Sequence, residues 1–184
     1  MKRKPLLVLW LLVTVPAAAQ DDERLTLSRD AAAQLGQELT ATLLAALGTD
    51  GAVEAIRVCS IEASPIAARI SEQAGAGVGR TALRLRNPDN APDADARTVL
   101  TMFERDLAAG APAPPQQFDT RADGSARFMS AIVTQPLCLT CHGSEIAPEV
   151  AAEIARHYPE DQATGFTAGD LRGAFLIEWP APDE

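Results

Sequence analysis

Residues Cys138-Leu139-Thr140-Cys141-His142 form a C-x-x-C-H pentapeptide, and few five-residue patterns leave a chain so little freedom. Two thiols three positions apart reach the two vinyl groups along one edge of a porphyrin and close thioethers with them. The adjacent imidazole then falls beneath the iron as proximal ligand. The pentapeptide is thus a complete half-site for one covalently bound haem c, with Cys138 and Cys141 as thioethers and His142 on the iron. Gly143 follows and leaves room for the backbone to turn away. Two other uses of C-x-x-C compete. A dithiol redox motif requires a strand before it and a helix opening at it, in a βαβ setting. A zinc site requires further ligands from Cys59 or His157, because adjacent Cys141 and His142 are poorly placed to bind one tetrahedral ion together.

The amino-terminal segment points to export. Lys2, Arg3 and Lys4 precede an uncharged apolar run, Leu6 through Val15, and Ala17-Ala18-Ala19 supplies an A-x-A cleavage site. The pattern predicts a signal peptide over residues 1–19 and a periplasmic protein starting near Gln20, in the oxidising compartment where haem c is attached. The run is too short to span a bilayer and no second run of spanning length follows, so no integral membrane segment is expected after cleavage. Loss of the three cations leaves 13 basic against 25 acidic side chains, a formal charge of −12. Nucleic acid is excluded as a partner on that balance. Residues 20–184 suit a single domain, with no repeat or linker to divide it.

Periodicity predicts a helix over Arg29–Leu47, with leucines at 35, 39, 43 and 47, Ser28 as N-cap and Gly48 as stop. A second helix runs from Val53 to Gln73, broken at Ser64-Pro65. Val78–Arg86 alternates as a strand, with Arg80, Arg84 and Arg86 on one face. A proline-rich loop over 87–92 leads to a helix over Asp93–Ala109. Gln117–Arg121 and Ala126–Thr134 flank Asp123-Gly124, a type I′ hairpin signal. A short helix, Pro148–His157, and a last strand, Gly173–Trp179, follow. Helices first and strands later predict an α+β fold with a mainly antiparallel sheet.

Taken alone, Cys59 reads as a buried small hydrophobe, yet a third thiol in an exported chain is a liability unless it is buried or bound. Arg80, Arg84 and Arg86 stand out in an acidic chain. They are candidate partners for haem propionates, or else a solvated strand face. Gly165, Gly169 and Gly173 shape turns rather than a phosphate loop. Asp93, Asp95, Glu104 and Asp106 read as an exposed acidic helix face, and no catalytic role is assigned to them.

Several segments match one family in order along most of the chain. These are Ala55-Ile56-Arg57-Val58-Cys59, Gly79-Arg80-Thr81, Leu85-Arg86-Asn87-Pro88, Asn90-Ala91-Pro92 and Leu137–Gly143. Tyr158-Pro159, Ala163-Thr164-Gly165 and Gly169-Asp170-Leu171-Arg172-Gly173-Ala174 complete the set. Together they resemble the PAS-like c-type haem domain family, catalogued as a domain of unknown function. The chain departs from that pattern at Ala82, where the family usually has serine, and near Ala94-Asp95, where it has an aromatic-acidic pair. The resemblance implies a PAS-like antiparallel sheet flanked by helices, one haem c, and axial ligation by His142 and the Cys59 thiolate. Met129, His157, Met102 and an open position are the other choices for the second axial site.

The expected function is that of an exported monohaem cytochrome exchanging electrons with an exported partner protein. Haem-based redox or gas sensing through a signalling partner is the alternative. A peroxidase or thiol oxidoreductase is disfavoured, since the second histidine, His157, is all that offers itself as a distal acid–base group. No enzymatic activity is therefore expected.

Overall fold

The computed structural model describes residues 17–182; the predicted signal run, Leu6–Val15, lies outside the described residues. The element order is α1 (Ala17–Ala74), β1 (Gly77–Thr81), α2 (Ala94–Ala108), β2 (Gln116–Thr120), β3 (Ala126–Val133), α3 (Leu139–His142), α4 (Pro148–His157) and β4 (Leu171–Trp179). Short 3-10 turns at Pro88–Asn90 and Pro136–Cys138 punctuate it. The fold is α+β: the four strands form one antiparallel sheet in the order β1-β4-β3-β2.

Residue alternation along the strands splits the core between the two sheet faces. Val78, Ile177, Phe128 and Phe118 form one cross-strand row, and this row packs against Ala31, Leu35 and Ile70 of α1. The next row, through Leu176 and Met129, faces the opposite way, where α2 contributes Val99, Leu100 and Phe103. The sheet is thus a filling between α1 and α2.

The long span α1 is two helical arms joined at Gly51, whose φ of 78° and ψ of −167° interrupt the helical backbone. That conformation is essentially open to glycine alone. The arms fold back on each other: Gln34 donates to Gln73, and Glu38 pairs with Arg69. Two helices were expected here, but their boundaries differ. The stop is Gly51 rather than Gly48, because only residue 51 takes the reversing conformation. Ser28 is not a cap; the helix starts upstream, and the buried Ser28 hydroxyl accepts a 2.9 Å hydrogen bond from Trp179 Nε1. Pro65 does not break the second arm. The carbonyl it leaves unpaired, that of Ile61, lies on the exposed face, where water can satisfy it.

Two further expectations are corrected. Gly124 has a positive φ but no non-glycine residue among those described does, so the β2–β3 turn is not type I′, which needs positive φ at both central residues. The loop spans 121–125 and closes through Arg121 N–H to Ser125 O at 2.8 Å. Strand β1 ends at Thr81 instead of continuing to Arg86. Beyond it Leu83 packs with the α2 side of the core while Leu85 faces the α1 side, so the alternation marks a chain wrapping the sheet end.

Asp93 is the N-cap of α2 rather than part of a passive acidic face. Its carboxylate accepts from Ala96 N–H at 2.7 Å and pairs with Arg127, which also holds Glu178. By length and hydropathy α1 also passes as a membrane-crossing helix, with an 18-residue window of mean hydropathy 1.3. Its leucines at 39, 43 and 47, however, line an internal cavity.

Two outcomes follow. Gly51→Ala should lose about 1–3 kcal/mol in denaturant unfolding, because alanine is strained in that conformation. The guanidinium of Arg127 holds Asp93 down at about 2, against 3.8 for a free carboxyl, so its contribution is present above pH 3.8 and fades as pH falls through about 2. Asp93→Asn should therefore flatten the acid-unfolding curve across that window.

Candidate functional site

Between the two arms of α1 and one end of the sheet lies a cavity of about 280 Å³. Its apolar wall comes from Leu39, Leu43 and Leu47 of the first arm and Ala55 and Ile56 of the second, with Leu85, Ile132 and Leu137 opposite the helix. The bend at Gly51 puts both arms on one space.

The C-x-x-C-H segment folds as the 3-10 turn Pro136–Cys138 running into the single helical turn α3. Residues three and four apart share one side of a helical turn. Cys138, Cys141 and His142 accordingly all line the cavity, and both thiols are free. The His142 Nδ1–H donates to Ala163 O at 2.6 Å, which leaves Nε2 as the lone-pair nitrogen. Burial, reinforced by Arg172 and Arg86, pushes this imidazole down to about 3, so the ring is neutral across the physiological range. Phe166 packs edge-on to the ring at 6.1 Å and donates its backbone N–H to His142 O at 2.9 Å.

Cys59 also lines this cavity, from the second arm of α1. Burial raises its thiol, and Arg80 and Arg86 act against that rise by favouring the thiolate. The other residues considered as metal ligands lie elsewhere. Met129 is buried and Met102 half-buried in the core on the α2 face of the sheet. His157 has both ring nitrogens engaged, Nε2 with Glu153 at 2.8 Å and Nδ1 with Ser60 at 3.3 Å. Among the described residues no three His, Cys, Asp or Glu side chains cluster as an ion-binding set.

The three arginines read as one strand face separate. Arg80 faces the cavity and makes no hydrogen bond or ion pair among the described residues. Arg84 turns outward, its guanidinium 3.5 Å over the Phe166 ring and donating to Thr164 O. Arg86 is committed: it pairs with Asp161 at 3.1 Å and donates to Cys141 O at 2.6 Å, binding the C-x-x-C-H turn to the 161–163 loop.

Arg172 joins Arg80 at the cavity and was not singled out from sequence. Strand pairing jumps from Ile132↔Gly173 to Val133↔Leu171, so Arg172 is the extra residue of a β-bulge. A bulge re-aims a side chain, here toward His142 Nε2, 3.4 Å from Arg172 Nε. Strand β4 consequently begins at Leu171 rather than Gly173. The usable signal was the arginine inside the Gly169–Ala174 segment, but alternation alone does not reveal a bulge. Tyr158 also lines the cavity, immediately after α4.

The Arg86–Asp161 pair is nearly buried, with side chains 11% and 8% exposed. Removing one partner strands the other charge, so Asp161→Ala should cost about 3–5 kcal/mol in urea unfolding. An effect under about 1 kcal/mol would place the pair in the class of weak surface bridges.

The Tll0287-like family model matches residues 14–180. Among solved structures, the cyanobacterial heme-protein Tll0287 is similar, with 25% sequence identity and a TM-score of 0.64 over 90% of this chain and 98% of that one. No curated protein matches. With nearly its whole length matched by that family model, the chain belongs to the Tll0287-like family.

Proposed function

We propose that the chain is an exported monohaem c-type cytochrome of PAS-like fold with a redox or electron-transfer role. Cys138 and Cys141 hold one haem c by thioethers, His142 binds the iron through Nε2, and the Cys59 thiolate is the second axial ligand. The donor set suits this group. Two free thiols and an imidazole with its Nδ1 tied off share one wall of a largely apolar cavity, and Arg80 offers an unpaired guanidinium to a propionate. Arg172 is the second cation available to that edge, in place of the outward-facing Arg84 and the committed Arg86.

The observation that carries the reading is the position of Cys59. Of the side chains considered for the second axial site, it alone lines the cavity that holds His142, while Met129, Met102 and His157 are occupied elsewhere. The similarity to a heme-protein supports haem binding. A bound haem iron would supply one-electron chemistry. A thiolate ligand donates charge toward the ferric state and so sets a low reduction potential. The protein acts with an exported partner and has no reaction of its own on a substrate.

Matured protein should keep its haem through acid-acetone extraction and denaturing electrophoresis, and its sequence should begin near Gln20. The ferric form should be low-spin with thiolate signatures in optical and magnetic resonance spectra, all lost in Cys59→Ser with a rise in potential. Persistent six-coordination on reduction supports electron transfer, whereas carbon monoxide binding to the reduced protein favours sensing. Haem extracted intact, or a ferric spectrum indifferent to Cys59→Ser, overturns the assignment.

A further inference from the structure

The turn of α1 that carries Cys59 is fastened to the end of α4 by a chain of hydrogen bonds. Ser60, the next residue, has its Oγ 2.7 Å from Arg57 O and 3.3 Å from His157 Nδ1. The Ser60 hydroxyl has one proton to give, to Arg57 O or to His157 Nδ1, and the ring tautomer sets which way the Ser60–His157 bond runs. On the other side of the ring, Nε2 lies 2.8 Å from Glu153 Oε1. Glu153 is 7% exposed and also pairs with Arg156.

A buried carboxylate is costly unless its hydrogen bonds are met, and one on a short amphipathic helix calls for an explanation. The Arg156 pair would serve α4 by itself. The His157 bond instead extends the carboxylate's reach across the interface to the residue beside Cys59. The contact below it is small: Ile56 against Val150 and Ile154, with Cys141 and Tyr158 at its edge. Apolar packing of this kind has no directional preference and tolerates sliding. Cys59 stands eight residues beyond the bend at Gly51, about two helical turns, where small rotations of the second arm would swing its sulfur. Directional hydrogen bonds supply the rotational restraint that packing lacks.

We propose that Glu153, His157 and Ser60 form a positioning relay that holds the Cys59 turn of α1 in the orientation for axial ligation. The proposal rests on the reading of Cys59 as an iron ligand. None of the three side chains touches the iron site; they act on it through the backbone of residue 60.

The test uses the matured haem-loaded protein and four variants, Cys59→Ser, Ser60→Ala, Ser60→Thr and His157→Phe. Losing the relay should raise the population with the sulfur off the iron about tenfold, the equivalent of one hydrogen bond. Ser60→Ala and His157→Phe should therefore weaken the thiolate signature in the ferric spectra and speed cyanide binding to the ferric protein about tenfold. Ser60→Thr keeps the hydroxyl and should retain both wild-type readouts. The double variant Ser60→Ala/His157→Phe should be no worse than the stronger single variant, since both break one link.

If Cys59→Ser abolishes the thiolate signature but both relay variants leave spectra and binding rate at wild-type values, the relay is wrong and the ligand right. Lowered thermal stability with an unchanged thiolate signature also overturns the relay, since it marks a merely structural bond. If Cys59→Ser leaves the ferric spectrum unchanged, the ligand reading fails and the relay falls with it. Ser60→Ala removes one part-exposed oxygen and is expected to fold, so the comparison does not depend on His157→Phe maturing.

Discussion

The reversal of α1 at Gly51 is the constraint from which the architecture follows. A chain of leucine- and alanine-rich helix needs its apolar stripe covered, and folding back at one glycine lets each arm cover part of the other. Away from the bend the paired arms present Leu35 and Ile70 to the sheet. Nearer the bend the same stripe continues as Leu39, Leu43 and Leu47, which share a cavity with the ends of β1, β3 and β4. The space there becomes the cavity. The site is thus built where the helical stripe meets only the end of the sheet.

Into that space the fold delivers polar groups by three different devices. The helical turn α3 sets two thiols and an imidazole on one side. The bulge in β4 turns Arg172 inward, and the end of β1 contributes Arg80. Arg86 brings nothing to the cavity beyond its own charge. Its bonds to Asp161, Cys141 O and Ala163 O instead connect two loops that have no ladder of backbone bonds between them. That connection in turn steadies Ala163, whose carbonyl sets the tautomer of His142. The electrostatics are consistent with an anionic guest. Two guanidiniums face a low-polarity space in a protein of net charge −9, and neither has a carboxylate partner among the described residues.

The position of Cys59 shows how one residue acquires meaning from its surroundings. In sequence it is a third cysteine that, taken alone, reads as a buried small hydrophobe. In the structure it shares a cavity with His142 and two arginines that favour its thiolate, and its neighbour Ser60 is bonded across to α4. His157, read as a helix-end residue and a possible ligand, has its nitrogens committed to Ser60 and Glu153 instead.

The C-x-x-C-H pentapeptide was legible because its geometry is local: one helical turn sets two thiols and an imidazole on one side, whatever the fold around it. The long helices, the start of α2 at Asp93 and the antiparallel strands were legible for the same reason, since periodicity and helix-start signals act within a few residues. Tertiary structure decided what local rules leave degenerate. It chose Gly51 over Gly48 as the reversal, because only packing of the arms selects which glycine takes the strained backbone. It ended β1 at Thr81 and bulged β4 at Arg172, because register is a property of paired strands and no single strand encodes it. It also sorted the arginines into one facing the cavity, one stacked outside and one buried in an ion pair, since alternation along a strand ceases to report direction once the chain leaves the sheet.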